Sequence, residues 1–273
     1  MVNSKAYEEL TFSDDFLFGK ILSTNLELCR QVLELILSVG IKRVELAQSQ
    51  KTIEIARDAR GIRLDVYVND QCGTVYNIEM QTTDQKSLPK RSRYYQGMID
   101  LNLIERGARF SELKKSYVIF ICLRDPFEDG KPLYWFENRE RLTGKPLNDE
   151  SHKIFLNADC QKDSPANDEL RSFLEFIRNG SANTDLTRAL KKQVDQAINH
   201  DEWRAEYMTL LLRDQQMRDE GHAEGLAEGR AEGRKSIISA MLKNGMTPEA
   251  VSNACSAPLD EVQNVQAELL QLA

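Results

Sequence analysis

Residues 63–81 read RLDVYVNDQCGTVYNIEMQ and set Asp65, Glu79 and Gln81 among apolar residues. The alternation predicts two strands, and the intervening NDQCG is turn chemistry. With Val68 opposite Thr74, Val66 faces Tyr76 and Leu64 faces Ile78. Ile62, Leu64, Val66 and Val68 then share one face with Tyr76, Ile78 and Met80, while Arg63, Asp65 and Tyr67 share the other with Asn77, Glu79 and Gln81. That register makes Asp65 and Glu79 diagonal neighbours about 7 Å apart at the backbone, close enough for the carboxylates to converge on one ion. Two carboxylates held together repel unless a proton or a cation neutralises them. Ligands that are all oxygen favour Mg²⁺ or Mn²⁺ over zinc. The same pattern also fits a plain half-exposed sheet, with Arg63 paired to Glu79 and Asp65 solvated.

Several elements must position this hairpin. SDDFLFGKILSTNLELCRQVLELIL (13–37) reads as helical, with apolar stripes at Phe16, Leu17, Ile21 and Leu22 and at Leu28, Val32, Leu35 and Ile36, and Ser13 as its N-cap. KTIEIA (51–56), YVIFICL (117–123), LYWFENR (133–139) and KIFLN (153–157) read as further strands, and 88–106 as a helix. From Asn167 onward the signals are helical. Gly221, Gly225, Gly229 and Gly233 recur every four residues together with Glu220, Glu224, Glu228 and Glu232. On a helix they form a slowly drifting smooth stripe, although each glycine weakens the helix by about 1 kcal/mol. A weakly helical linker and a surface for a second helix both fit this repeat. The tail beyond it has the outline of a helix-turn-helix but few basic residues.

Composition narrows the class. The chain has 273 residues and a net charge of -7, which is unlike a general nucleic-acid binder, although local charge matters more than the total for an enzyme acting on DNA. The longest apolar run is far too short to span a bilayer, and MVNSKAYEEL lacks a signal-peptide core, so a cytoplasmic protein without membrane association is expected. Five scattered cysteines without a CxxC pair argue against a disulfide framework or a structural zinc site. His152, His200 and His222 stand in unlike contexts and form no evident metal trio.

An Asp, a spacer, then Glu-X-Lys or Glu-X-Gln on the next strand is the outline of the PD-(D/E)XK nucleases. With FSDDFLFGKIL, RLDVYV, YNIEMQ, LPKRSRYYQGMIDL, LNDESHKIFLN and the EG repeat in order, the chain resembles the Rpn-like recombination-promoting nucleases and related transposases of that superfamily, over roughly residues 10–235. The resemblance implies an α/β (α+β) restriction-endonuclease-like core with a mixed central sheet flanked by helices. It implies a metal-dependent DNA endonuclease that hydrolyses phosphodiester bonds, with Mg²⁺ or Mn²⁺ as cofactor, associated with recombination or mobile elements. By position Asp65 and Glu79 are the metal ligands, Gln81 stands where a lysine is common, and Asp15, preferred over Asp14, is the acidic residue of the first helix. A neutral amide can orient water but cannot act as a general base. A nuclease fold that is catalytically weak, working as a DNA-binding or oligomerising module, is therefore the alternative.

Lys90, Arg91, Arg93 and Tyr94 follow closely on Gln81, in a segment carrying no acid between residues 86 and 96, and are candidate DNA contacts. Gln96 is a further candidate DNA contact and is also expected to project toward the metal. DNA is the expected partner, and a homodimer would supply two active sites for two strands. The expected organisation is a nuclease-like core at 1–165, a helical extension at 166–219, the EG repeat at 220–235 and a small helical tail at 236–273.

Overall fold

The computed structural model describes residues 5–53, 62–83, 86–104, 107–160 and 167–271. The chain forms two compact units, Met1–Tyr207 and Met208–Ala273. The expected boundary at 165, the end of the strand expected at 51–56 and Arg106 lie outside the described residues.

The first unit holds a mixed six-stranded sheet. Its strands are β1 (Val44–Ile53), β2 (Ile62–Asp70), β3 (Val75–Gln81), β4 (Ser116–Cys122), β5 (Leu133–Phe136) and β6 (Ser151–Asn157), in the order β1-β2-β3-β4-β6-β5. β1, β2 and β3 are antiparallel, β3, β4 and β6 run parallel, and β5 returns antiparallel to β6. Both faces are covered, which is why β4 reads as an unbroken apolar run buried at every position. Helices α1 (Asp15–Thr24), α2 (Leu26–Leu37), α4 (Asp168–Asn179) and α5 (Asp185–Ala197) pack on one face, against Val66, Val68, Tyr76, Ile78, Ile119 and Leu156. Helix α3 (Leu88–Leu103) covers the other, where Leu88, Tyr95, Met98 and Ile99 meet Val75, Val118, Phe120 and Phe155.

The helix expected over 13–37 is two helices. Asn25 ends the first, and its Oδ1 accepts the Leu28 N–H at 3.1 Å to cap the second. Ser13 does not cap α1. Its hydroxyl pairs with Thr11 Oγ1 at 3.0 Å, and the helix begins after Asp14.

The hairpin register differs from the expected one by two residues. Val66 pairs with Ile78 and Val68 with Tyr76. The reason is Asp70, whose Oδ1 accepts the N–H groups of Cys72 (2.8 Å) and Thr74 (2.9 Å) while its Oδ2 accepts the Tyr76 hydroxyl (2.8 Å). The turn is thereby pulled downstream, and Asn69 and Asp70 stay in the strand. The expected common face of Ile62, Leu64, Val66 and Val68 is also broken. Ile62 and Leu64 pack under α3, whereas Val66 and Val68 pack on the opposite side. Residues two apart in a regular strand share a face, so β2 is kinked across Asp65. The neighbouring β1 is irregular at the same level, where Gln50 has a φ of +54° between the pairs Ser49–Val66 and Lys51–Leu64.

Helix α6 (Asp201–Lys243) is 43 residues long, begins in the first unit and continues in the second. The EG repeat lies inside it as exposed helix, and a Cβ added at any of its four glycines would meet nothing within 4 Å. In the second unit the end of α6 packs with α7 (Pro248–Cys255) and α8 (Leu259–Gln271) around Ile238, Val251, Val262 and Val265. No helix among the described residues is long and apolar enough to cross a membrane.

Because one buried carboxylate satisfies two N–H groups and a buried hydroxyl in the hairpin turn, Asp70→Ala should cost about 1–3 kcal/mol, the range for leaving such donors unsatisfied. Urea unfolding of the variant measures this, and a change below about 0.5 kcal/mol would show that Asp70 does not govern the turn.

Candidate active site

The recorded pairing of β2 with β3 ends at Val66–Ile78, and Asp65 and Glu79 are the next residues beyond it on the two strands. Here side chains take over hydrogen bonding. The Asp65 backbone N–H donates to Glu79 Oε1 (3.1 Å), and the Met80 N–H donates to Asp65 Oδ2 (3.0 Å). Each carboxylate is therefore held by the backbone of the other strand. Glu79 is fully buried, with Asn77 buried beside it on the same strand face.

Glu79 is neutralised by Arg91 of α3, not by Arg63, which is exposed. Arg91 Nη2 donates to Glu79 Oε2 (2.8 Å), Nη1 to Gln81 Oε1 (2.9 Å) and Nε to the Tyr95 hydroxyl (2.8 Å). Its guanidinium lies 4.9 Å from the Tyr95 ring centre and 5.3 Å from that of Phe120. The helix supplies this geometry, since Arg91 and Tyr95 are four residues apart and so share a face. Gln81 is held from both ends, because its Nε2 donates to the Thr83 backbone oxygen (2.6 Å) and hydroxyl (3.0 Å).

Helix α1 approaches from the other side. A Cβ on Gly19 would lie 3.2 Å from the Ser49 Cβ and 3.4 Å from the Asp65 carbonyl oxygen. That closeness explains a glycine inside a helix, where it costs about 1 kcal/mol relative to alanine. One turn earlier, Asp15 is near enough for its charge to act on Asp65. Asp14 is used elsewhere, accepting from the Thr11 N–H (2.7 Å) and pairing with Lys5 (2.7 Å).

These carboxyls are hard to ionise. Burial raises Asp65 well above the ordinary carboxylate range and Asp15 raises it further, against the Met80 N–H, Arg91 and Arg63. Burial and then Asp65 raise Glu79, and Arg91 only partly offsets them. Asp15, exposed at the start of α1, is also raised, by partial desolvation first and Asp14 second. Two carboxylates and one guanidinium are neutral when they share one proton, the state a low-dielectric interior favours.

The other expected residues fall into two groups. Lys90, Arg93 and Tyr94 are exposed on the first turns of α3. Gln96 is a correction, because it is buried and donates to Asp100 Oδ1 (2.9 Å) and Ser116 Oγ (2.7 Å). Ser116 lies beside Val75, at the opposite end of β3 from Gln81. Five residues beyond Arg91 the helix has turned by about 140°, so Gln96 faces away from the carboxylates. The role of Tyr95 as an acceptor for Arg91 escaped the sequence reading, although the four-residue spacing signals it.

The donor set suits a hard divalent cation. Asp65 and Glu79 offer oxygen alone, and their mutual repulsion is what such an ion relieves. Among the described residues no three His, Cys, Asp or Glu side chains gather into a ready metal cage. Two carboxylates leaving the remaining positions to water and substrate oxygens is the usual manner of Mg²⁺ binding.

A mixed sheet with an Asp–Glu pair across its antiparallel hairpin and helices on both faces defines a PD-(D/E)XK nuclease-like fold. The family model described as PD-(D/E)XK nuclease family transposase matches residues 13–221, and the chain belongs to that family. No curated protein and no solved structure matches the chain.

The raised carboxyls carry a pH signature. A folded-state pKa above the unfolded value means the native state binds more protons, so stability falls as pH rises from the carboxylate range near 4 toward neutrality. Thermal melting of metal-free protein across that window should fall with pH for the wild type and lose much of its slope in the Asp65→Asn/Glu79→Gln double variant.

Proposed function

We propose that this protein is a Mg²⁺- or Mn²⁺-dependent DNA endonuclease that hydrolyses phosphodiester bonds in the service of recombination or a mobile element. The observation that carries this reading is the carboxylate pair of half-buried Asp65 and buried Glu79, each bonded to the other's strand, in a chain of a nuclease family. Asp65 and Glu79 would hold the ion, with Asp15 nearby to position it or a water. Such an ion supplies electrostatic stabilisation of the phosphate and makes a neighbouring water more acidic.

The residues of the chain do the rest. The two backbone hydrogen bonds fix the carboxylates before substrate arrives, so little reorganisation is needed at the moment of reaction. Lys90 and Arg93 can meet backbone phosphates, and Tyr94 offers a ring for a base or sugar. Gln81 is no general base, since an amide neither accepts nor releases the proton of the attacking water.

One observation favours the alternative of a catalytically weak nuclease fold that binds DNA. Both ends of the Gln81 amide are already engaged, by Arg91 and by Thr83, so it is not poised to orient a water.

Supercoiled plasmid incubated with pure protein and EDTA, Mg²⁺ or Mn²⁺ tests the choice. Nicking by wild type only with metal, and none by Asp65→Asn, is expected of the nuclease. Salt-sensitive DNA binding without nicking would select the alternative. On the nucleic-acid side, Lys90→Ala/Arg93→Ala should weaken DNA binding evenly across sequences and reduce the slope of log K against log salt by about 2. An unchanged slope would place the DNA elsewhere.

A further inference from the structure

We propose that Arg91 is the resident cation of this site: it competes with a divalent ion for Glu79 and carries the positive charge that position 81 lacks. The proposal rests on Asp65 and Glu79 being the ion site. The family is named for a lysine two residues after the acidic residue, and here that position is Gln81. The charge is present all the same, brought from α3. The guanidinium donates to the amide oxygen of Gln81 at 2.9 Å and to Glu79 at 2.8 Å, so it bridges two members of the motif from the side.

The arrangement is built. Tyr95 accepts the third donor at 2.8 Å, Phe120 and Tyr95 present ring faces, and Thr83 turns the Gln81 amide so that its oxygen points to Arg91. Gln81 therefore works as a holder for Arg91. Lysine in its place would set two cations against each other, which gives a physical reason for an amide at this position.

The competition follows from geometry. Glu79 is fully buried, with Oε1 on the Asp65 N–H and Oε2 on Arg91. A divalent ion taking an oxygen of Glu79 meets a fixed positive charge within hydrogen-bonding distance of that carboxylate. In a low-dielectric setting that repulsion is large. Arg91 therefore keeps the site neutral without metal and weakens metal binding. When an ion does bind, a planar fork released from Glu79 matches the oxygens of a phosphate.

The test is Mn²⁺ binding to the full-length protein, by calorimetry and by the paramagnetic signal of free Mn²⁺, at mildly alkaline pH. Wild type is compared with Arg91→Gln, Arg91→Lys and Asp65→Asn. Removing one adjacent positive charge should make Arg91→Gln bind Mn²⁺ roughly tenfold more tightly, lower the melting temperature of the metal-free protein, and let Mn²⁺ restore it. Arg91→Lys keeps the charge but loses the fork, so its affinity should fall between the two. Plasmid nicking should move the opposite way and be slower in Arg91→Gln despite the tighter ion. Unchanged or weaker Mn²⁺ binding by Arg91→Gln, with binding lost in Asp65→Asn, overturns the competition and leaves the ion site standing. Tighter binding with undiminished nicking overturns the role of Arg91 as the missing charge. Wild-type affinity in Asp65→Asn overturns the ion site itself. If Arg91→Gln does not fold, Arg91→Lys decides, and an affinity equal to or below that of wild type refutes the competition.

Discussion

The buried Glu79 carboxylate is the constraint around which the core is organised. An isolated charge there would be very costly, so each neighbour answers it. The Asp65 N–H takes one oxygen, Arg91 the other, and Asp65 presents a second carboxyl that is held near neutral. The arrangement ties α3 to the β2–β3 hairpin. Such a site gains less in stability than a well-packed apolar core of the same volume would. It stands in a sheet otherwise filled with Val, Ile, Leu and Phe.

The two halves of the sheet divide the labour. The parallel strands β3, β4 and β6 are buried on both faces and supply a rigid frame. The antiparallel hairpin supplies irregularity. β2 is kinked at Asp65, Gln50 alongside takes a left-handed conformation, and helix α1 comes in close enough that a Cβ at Gly19 would be tight. Backbone irregularity of this kind is carried where the surrounding structure over-determines it. Here the frame on one side and two helices on the others do so.

Much of this was legible in the sequence. The alternation of Tyr76, Ile78 and Met80 against Asn77, Glu79 and Gln81, the buried run at 117–123 and the helical signals from Asn167 onward are direct readings of period. The family and the mixed sheet flanked by helices followed from the ordered motifs. The register did not, because it hinges on one carboxylate, Asp70, folding back on its own turn. VELAQSQ (44–50) is too polar to show a strand period, and its order comes from pairing with β2. In the sequence Arg91 reads as a candidate DNA contact, because nothing local shows that this side chain, twelve residues downstream, lies against Glu79. Long-range electrostatic partners of that kind are set by tertiary packing, and sequence spacing carries no trace of them.

The Asp70 turn has a consequence for how such a hairpin can change over evolutionary time. Inserting or deleting one residue between Asp70 and Val75 would slip the strands by one and send Glu79 to the opposite face, into the apolar layer beneath α1 and α2. A change of two would restore the faces but move Asp65 off its partner. Surface turns usually absorb length variation freely. This one, distant from the chemistry at the other end of the strands, has its length dictated by it.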